Sequence, residues 1–217
     1  KGGNAKRGSV VSGRYVDEYL WNNRPGATSG LWSVAYSTIA KVNNVLEVID
    51  GGFEQVGVEQ AQLDLLKGAC LFLRGLSYFD LARMYCLPYS AGTDNLGVPV
   101  VLVTENGYPA RNTVGETYDR VVTDLEDAIA LLPVANPRGD DGAYATKVAA
   151  QALLAKVSLY MENWQDAATY ASAVIGSTGL ELFSPEDYTT YDNDGYWGSG
   201  GPRSEERRVG KECRSRW

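Results

Sequence analysis

Two stretches of this sequence bring aromatic rings together with amides and carboxylates, YVDEYLWNNR at residues 15–24 and YTTYDNDGYW at residues 188–197. Ring faces stack on apolar C–H surfaces, and amides and carboxylates make directional hydrogen bonds, so such clusters can hold a ligand reversibly. In the first stretch Tyr19 and Trp21 supply rings, while Asn22 and Asn23 supply donors and acceptors. Packing against the helix that follows is the competing role for Trp21. In the second stretch the DND triplet resembles part of a calcium loop. Placing Gly195 at the sixth position puts Thr190 first and Gly201 twelfth, where oxygen ligands are required, so no calcium site is expected.

Bond-breaking chemistry finds little support. The chain contains no histidine, which removes His-based acid–base catalysis, Ser-His-Asp and Cys-His arrangements, and most catalytic zinc sites. No GxxxxGK[ST] loop occurs and no GxGxxG opens a helix. A carboxylate pair could still hydrolyse a glycoside, but Asp and Glu mostly recur at helical spacing among polar residues. The expectation is therefore no enzyme, no cofactor and no metal. Outside the last fifteen residues the cysteines are Cys70 and Cys86, sixteen positions apart. On a continuous helix that is about 24 Å, beyond disulfide reach, so both are read as small apolar side chains.

The residues above depend on helices for their placement. From Glu59 to Pro88, small or apolar residues recur at Leu63, Leu66, Cys70, Leu73, Ser77, Leu81 and Met84, the three-and-four spacing of one helix face. This predicts a continuous helix from about Val58 to Tyr85, with Leu66, Cys70, Leu73, Ser77 and Leu81 buried. An earlier helix is predicted from about Gly30 to Asp50, with Leu31, Val34, Tyr36, Ile39, Val42, Leu46 and Ile49 inward; Gly51-Gly52 ends it. VPVVLV at residues 98–103 suggests a strand or extended piece. Thr113 and Glu116 form a capping box before a rhythm at Val114, Tyr118, Val121, Leu125, Ile129 and Leu132. Thr146 caps a helix through Ala149, Ala152, Leu153, Lys156, Leu159 and Tyr160, and a break at Glu162-Asn163 leads to another beginning at Trp164. That last pair is similar to a tetratricopeptide helix hairpin. The fold class is all-α, an antiparallel helix-hairpin scaffold with irregular loops. Trp32 and Trp164 are expected in the core, Arg74, Asp80, Asn43 and Asn44 in structural hydrogen bonds, and Asp124 and Glu126 on a solvated face.

Four segments carry a family resemblance. GACLFLRGLSYFDL within the long helix resembles the signature helix of SusD/RagB-type proteins, and Trp32, Tyr36, Ile39 and Asn43 match that family's W-x-x-x-Y-x-x-I-x-x-x-N helix. Residues 111–133 and 146–175 are similar to the segments that follow, in the same order. The resemblance implies a cell-surface lipoprotein that binds a polysaccharide or oligosaccharide without cleaving it and hands it to a TonB-dependent SusC-like transporter in the outer membrane. It implies that the approach to the first helix, with Tyr19, Trp21, Asn22 and Asn23, contributes to the glycan platform. The alternative is a free-standing tetratricopeptide-like module that binds proteins.

The expected organisation is a partial N-terminal helical domain over residues 1–202, with signal sequence, lipid anchor and the C-terminal half lying elsewhere. Residues 203–217, RSEERRVGKECRSRW, resemble a translated sequencing adapter and are set apart as an artefactual tail; a basic tail for acidic partners is the other reading. The six basic and three acidic residues of this tail carry +3, so residues 1–202 have net charge −10 against −7 for the whole chain. Such acidity argues against nucleic acid or anionic lipid as a partner. No run approaches about 18 apolar residues, so membrane association is expected only through a lipid anchor outside this chain.

Overall fold

The computed structural model describes residues 29–52, 57–104, 107–135, 137 and 144–177. The two aromatic stretches, 15–24 and 188–197, and the tail 203–217 lie outside them. Among the described residues five α-helices follow one another: α1 Ser29–Asp50, α2 Gln60–Tyr85, α3 Val114–Leu131, α4 Lys147–Tyr160 and α5 Trp164–Ile175. No strand occurs among the described residues; one isolated antiparallel bridge joins Leu96 to Thr113. The chain is all-α, as its periodicity predicts, and residues 98–103 are extended but unpaired in any sheet.

Local chemistry sets the helix ends. The Thr113 hydroxyl accepts from Glu116 N–H at 3.1 Å, and the Glu116 carboxylate accepts from Thr113 N–H at 2.8 Å, so the capping box is present. These bonds hold the Glu116 carboxyl below its usual range, the Thr113 backbone contributing most. Thr146 caps α4 by accepting from Ala149 N–H at 3.2 Å. Between α4 and α5 the chain turns through Glu162, at φ 60°, and Asn163 caps α5 by accepting from Asp166 N–H.

Contacts between helices fix an antiparallel register. Trp32 meets Tyr85 with ring centroids 5.0 Å apart, Asn43 bonds Arg74, and Asp50 pairs with Lys67. Eleven positions forward in α1 match eleven back in α2, and a further seven match seven. The same holds between α2 and α3. Gly68 lies against Leu132, Gly75 against Leu125, and Phe79 meets Tyr118 edge to face at 6.2 Å. Gly68 and Gly75 are two helical turns apart on one face, and a Cβ there would stand 2.9 Å and 3.1 Å from leucine Cγ atoms. Their missing side chains let α3 approach α2 closely. One buried cluster gathers Ile39, Tyr78, Phe79, Leu81, Val121, Leu125, Leu154 and Val157; a second joins Val42, Leu46, Cys70, Leu71, Ala128, Leu132 and Ala150.

Several predicted inward positions are corrected. In α2, Leu66 and Leu73 are 39% and 42% exposed, and Ser77 is half-buried, whereas Leu71, Arg74, Gly75, Tyr78 and Ala82 are buried beside Cys70 and Leu81. The buried arc is wide because α2 lies between α1 and α3, and it is centred on a row containing a charged residue. In α1, Val34 is exposed and Ala35 buried; in α4 the buried residues are Ala150, Leu154, Val157 and Ser158, while Ala152, Lys156, Leu159 and Tyr160 are exposed. Trp164 is 63% exposed and not a core residue; among the described helices α5 packs mainly on α4. Asp124 is fully buried rather than solvated; Glu126 is exposed as expected.

Candidate functional site

An extended segment, residues 96–104, lies along α1 and has no sheet to satisfy its backbone. The Asn112 backbone pairs with Gly97 and Val98, and side chains do much of the rest. The Tyr36 hydroxyl donates to Pro99 O at 2.8 Å, Asn43 Nδ2 donates to Val101 O at 2.9 Å, and Glu47 accepts from Thr104 N–H at 2.5 Å. These three α1 residues face one way because they are separated by seven and four positions. Over those eleven residues the helix rises about 16 Å, and five residues of extended chain cover about the same length. The two run in matched register. From α2, the Tyr78 hydroxyl accepts from Val101 N–H at 2.7 Å and donates to Val101 O at 2.8 Å. Asn112 Oδ1 accepts from Val100 N–H at 2.8 Å, and Arg111 Nε donates to Gly97 O at 2.6 Å. Burial pushes the Tyr78 hydroxyl up to about 12 and raises Tyr36 further.

A buried ionic network underlies this segment. Arg74 Nε and Nη2 donate to the two carboxylate oxygens of Asp124, each at 2.8 Å, and Nη1 donates to Asn43 Oδ1 at 2.9 Å. Arg120 adds a second cation at 2.7 Å from Asp124 Oδ1. Burial by itself would lower the Arg74 guanidinium, but the hydrogen bonds and charge of Asp124 outweigh it and hold it above its ordinary value. Arg74 and Asn43 are structural, as expected from sequence. Asp80 is a half-exposed partner of Arg83, and Asn44 is exposed.

Between the start of α1 and the outer side of the extended segment lies an open groove of about 620 Å³. Trp32, Tyr36, Pro99, Val101, Tyr108 and Pro109 line it. The Trp32 ring packs tilted on Tyr36, centroids 4.8 Å apart, and meets the Tyr85 edge at 5.0 Å, which fixes its plane. Trp32 is half-buried against the first cluster, and Tyr108 is fully exposed. No described lining residue is ionisable to a charge near neutral pH. Sequence reading missed this groove because Trp32 reads as core and Tyr108 sits in a loop without periodicity. Its one signal was the place of Tyr108 between Gly107 and Pro109.

The residues expected from sequence to bind, Tyr19, Trp21, Asn22 and Asn23, lie outside the described residues. Among the described residues no three His, Cys, Asp or Glu side chains cluster as metal ligands, and no helix is long and apolar enough to cross a membrane. Cys70 and Cys86 are both free thiols, raised by burial.

Comparison with known proteins agrees with the scaffold. A SusD-like family profile, described as "Starch-binding associating with outer membrane", matches residues 4–159. A SusD-like protein of Bacteroides ovatus is 27% identical over 214 residues, covering 85% of this chain and 36% of the relative. A SusD superfamily structure from Bacteroides thetaiotaomicron superposes with TM-score 0.72 at 30% identity, over 81% of this chain and 39% of that one. A SusD-like carbohydrate binding protein from Bacteroides vulgatus gives TM-score 0.64 at 27% identity, over 75% of this chain and 34% of that one. The chain thus spans less than half the length of these relatives. With the profile matching most of its length on a helical scaffold in the same order, the chain belongs to the SusD-like family.

Proposed function

We propose that this chain is the N-terminal part of a surface-exposed outer-membrane lipoprotein that captures a glycan, does not cleave it, and passes it to a TonB-dependent SusC-like transporter. The observation that carries this reading is the family match over residues 4–159. Supporting it, the buried network and the register between α1 and residues 96–104 supply the rigid mounting from which loops present binding groups. The acidic chain, at net charge −7, suits neither nucleic acid nor an anionic membrane surface. A lipid anchor outside this chain would hold the protein at the membrane.

Tyr19 and Trp21 are proposed to stack on sugar rings, with Asn22 and Asn23 bonding hydroxyls. The test is Trp21→Ala in the full-length protein, scored by affinity electrophoresis against polysaccharides and by thermal melting. Weakened retention with an unchanged melting point supports the site; unfolding without a separable binding defect makes Trp21 a core residue. The transporter partnership is tested by co-purification from outer membranes. Residues 203–217 are proposed to lie outside the domain of residues 1–202, so deleting them should leave the melting point unchanged.

A further inference from the structure

We propose that the groove lined by Trp32 and Tyr108 is a separate subsite for a neutral sugar, additional to the residue 15–24 cluster. This rests on the reading of the protein as a glycan-capture protein and adds both a location and a ligand charge. Three observations carry it. First, the groove presents rings in two different states of restraint. Trp32 is locked by Tyr36 and Tyr85, so its plane is set before any ligand arrives, whereas Tyr108 is fully exposed between Gly107 and Pro109. A fixed ring and a free one in the same concave surface suit a flat ligand with apolar C–H faces. Second, the volume of about 620 Å³ falls within the range of small-molecule sites.

Third, the described residues that line the groove carry no charge. Its lining side chains are aromatic, aliphatic or proline, and the nearby Arg111 is committed to the carbonyls of Gly97 and Leu96. Within a chain of net charge −7, a lining with no cation among its described residues gives a uronate or sulfate ester no counter-charge there, and the net charge repels it at long range. An uncharged glycan meets no such barrier. The rings are also held by bonds that do not involve the ligand, since Tyr36 already donates to Pro99 O, so the site needs little ordering on binding.

The experiment compares the full-length protein with Tyr108→Ala and Trp21→Ala by affinity electrophoresis. The probes are neutral polymers (soluble starch, laminarin, galactomannan) and anionic ones (polygalacturonate, alginate, chondroitin sulfate). Tyr108→Ala should weaken binding of whichever neutral polymer is retained by about three- to tenfold, the loss of one stacking ring, with the melting point unchanged because this side chain is fully exposed. Wild-type affinity in Tyr108→Ala, with a defect in Trp21→Ala, overturns the groove while leaving glycan capture standing. Preference for the anionic polymers overturns the assignment of a neutral ligand. Retention of none of the polymers by the unaltered protein overturns the capture reading, and the groove with it.

Discussion

Arg74 of α2 grips Asp124 of α3 through two parallel hydrogen bonds of 2.8 Å each, and its remaining arm reaches Asn43 of α1. One side chain therefore ties three helices, and Asn43 extends the tie to Val101. A two-pronged guanidinium–carboxylate pair fixes orientation as well as distance. The register that aligns α1 with residues 96–104, and so shapes the groove, passes through this pair.

Asp124→Asn should cost about 3–5 kcal/mol, because it leaves two guanidinium groups without their buried counter-charge. Arg120 Nε already has no hydrogen-bond partner among the described residues. Urea denaturation checks the magnitude. Replacing both partners, as Arg74→Met with Asp124→Leu, should cost less than Asp124→Asn, since an apolar pair leaves fewer unmatched charges. A cost below about 1 kcal/mol for Asp124→Asn would show that the network is peripheral to stability.

Leu81 and Leu73 lie on the same helix but should respond differently to truncation. Leu81 is fully buried in the first cluster, so Leu81→Ala should cost about 2–5 kcal/mol. Leu73 is 42% exposed, and Leu73→Ala should cost about 1 kcal/mol or less. Equal losses in denaturant midpoints would mean that Leu73 is covered in the whole protein.

The helices, their order and most caps were legible in the sequence because each has a local cause: Thr113 with Glu116, Thr146, and the apolar rhythm of α3. The facing of α2 was not. Periodicity assigns charged residues to solvent, so Arg74 was placed off the buried row, and the row turned with it towards Leu66 and Leu73. Asp124 was misplaced for the same reason, since its burial is explained by a partner fifty residues away. In α4, runs of alanine and leucine offer two nearly equivalent stripes, and packing chose the one through Leu154 and Val157. The groove was illegible because it joins α1 to a loop across some seventy residues, a distance no local pattern encodes.

Gly75→Ala sets two effects against each other. Alanine favours helix by about 1 kcal/mol, but its methyl would lie 3.1 Å from Leu125 Cγ, a fully buried side chain with little room to yield. Overpacking of this kind costs about 1–3 kcal/mol, so a net loss of up to about 2 kcal/mol is expected. Gly97→Ala should be worse. There the methyl would meet Thr113 backbone oxygen at a separation no carbon tolerates, beside the Gly97 N–H bond to Asn112 O of 2.7 Å. Thermal melting should rank Gly97→Ala below Gly75→Ala, and the reverse order would show that the 96–104 segment is not held at Thr113.

Alkaline pH should loosen the fold from the hydroxyl of Tyr78. Burial pushes that group up to about 12 from an ordinary 10, against a lowering pull from its backbone bonding with Val101. Tyr118 is raised to about 12 as well, mainly by burial. The unfolded chain releases these protons first, so above pH 10 it binds fewer protons than the folded chain, and stability falls as pH rises. The contribution is fully present below pH 10 and is lost progressively up to about pH 12, roughly 2–3 kcal/mol for a shift of this size. Absorbance at about 295 nm follows tyrosinate, and far-ultraviolet circular dichroism follows the helices. A late-titrating subset of the fourteen tyrosines should ionise together with the loss of helix. Tyr78→Phe should abolish one late-titrating group, and it also removes both bonds to Val101. Ionisation of every tyrosine near pH 10 with helicity intact would mean that Tyr78 is open to solvent and does not hold the segment that walls the groove.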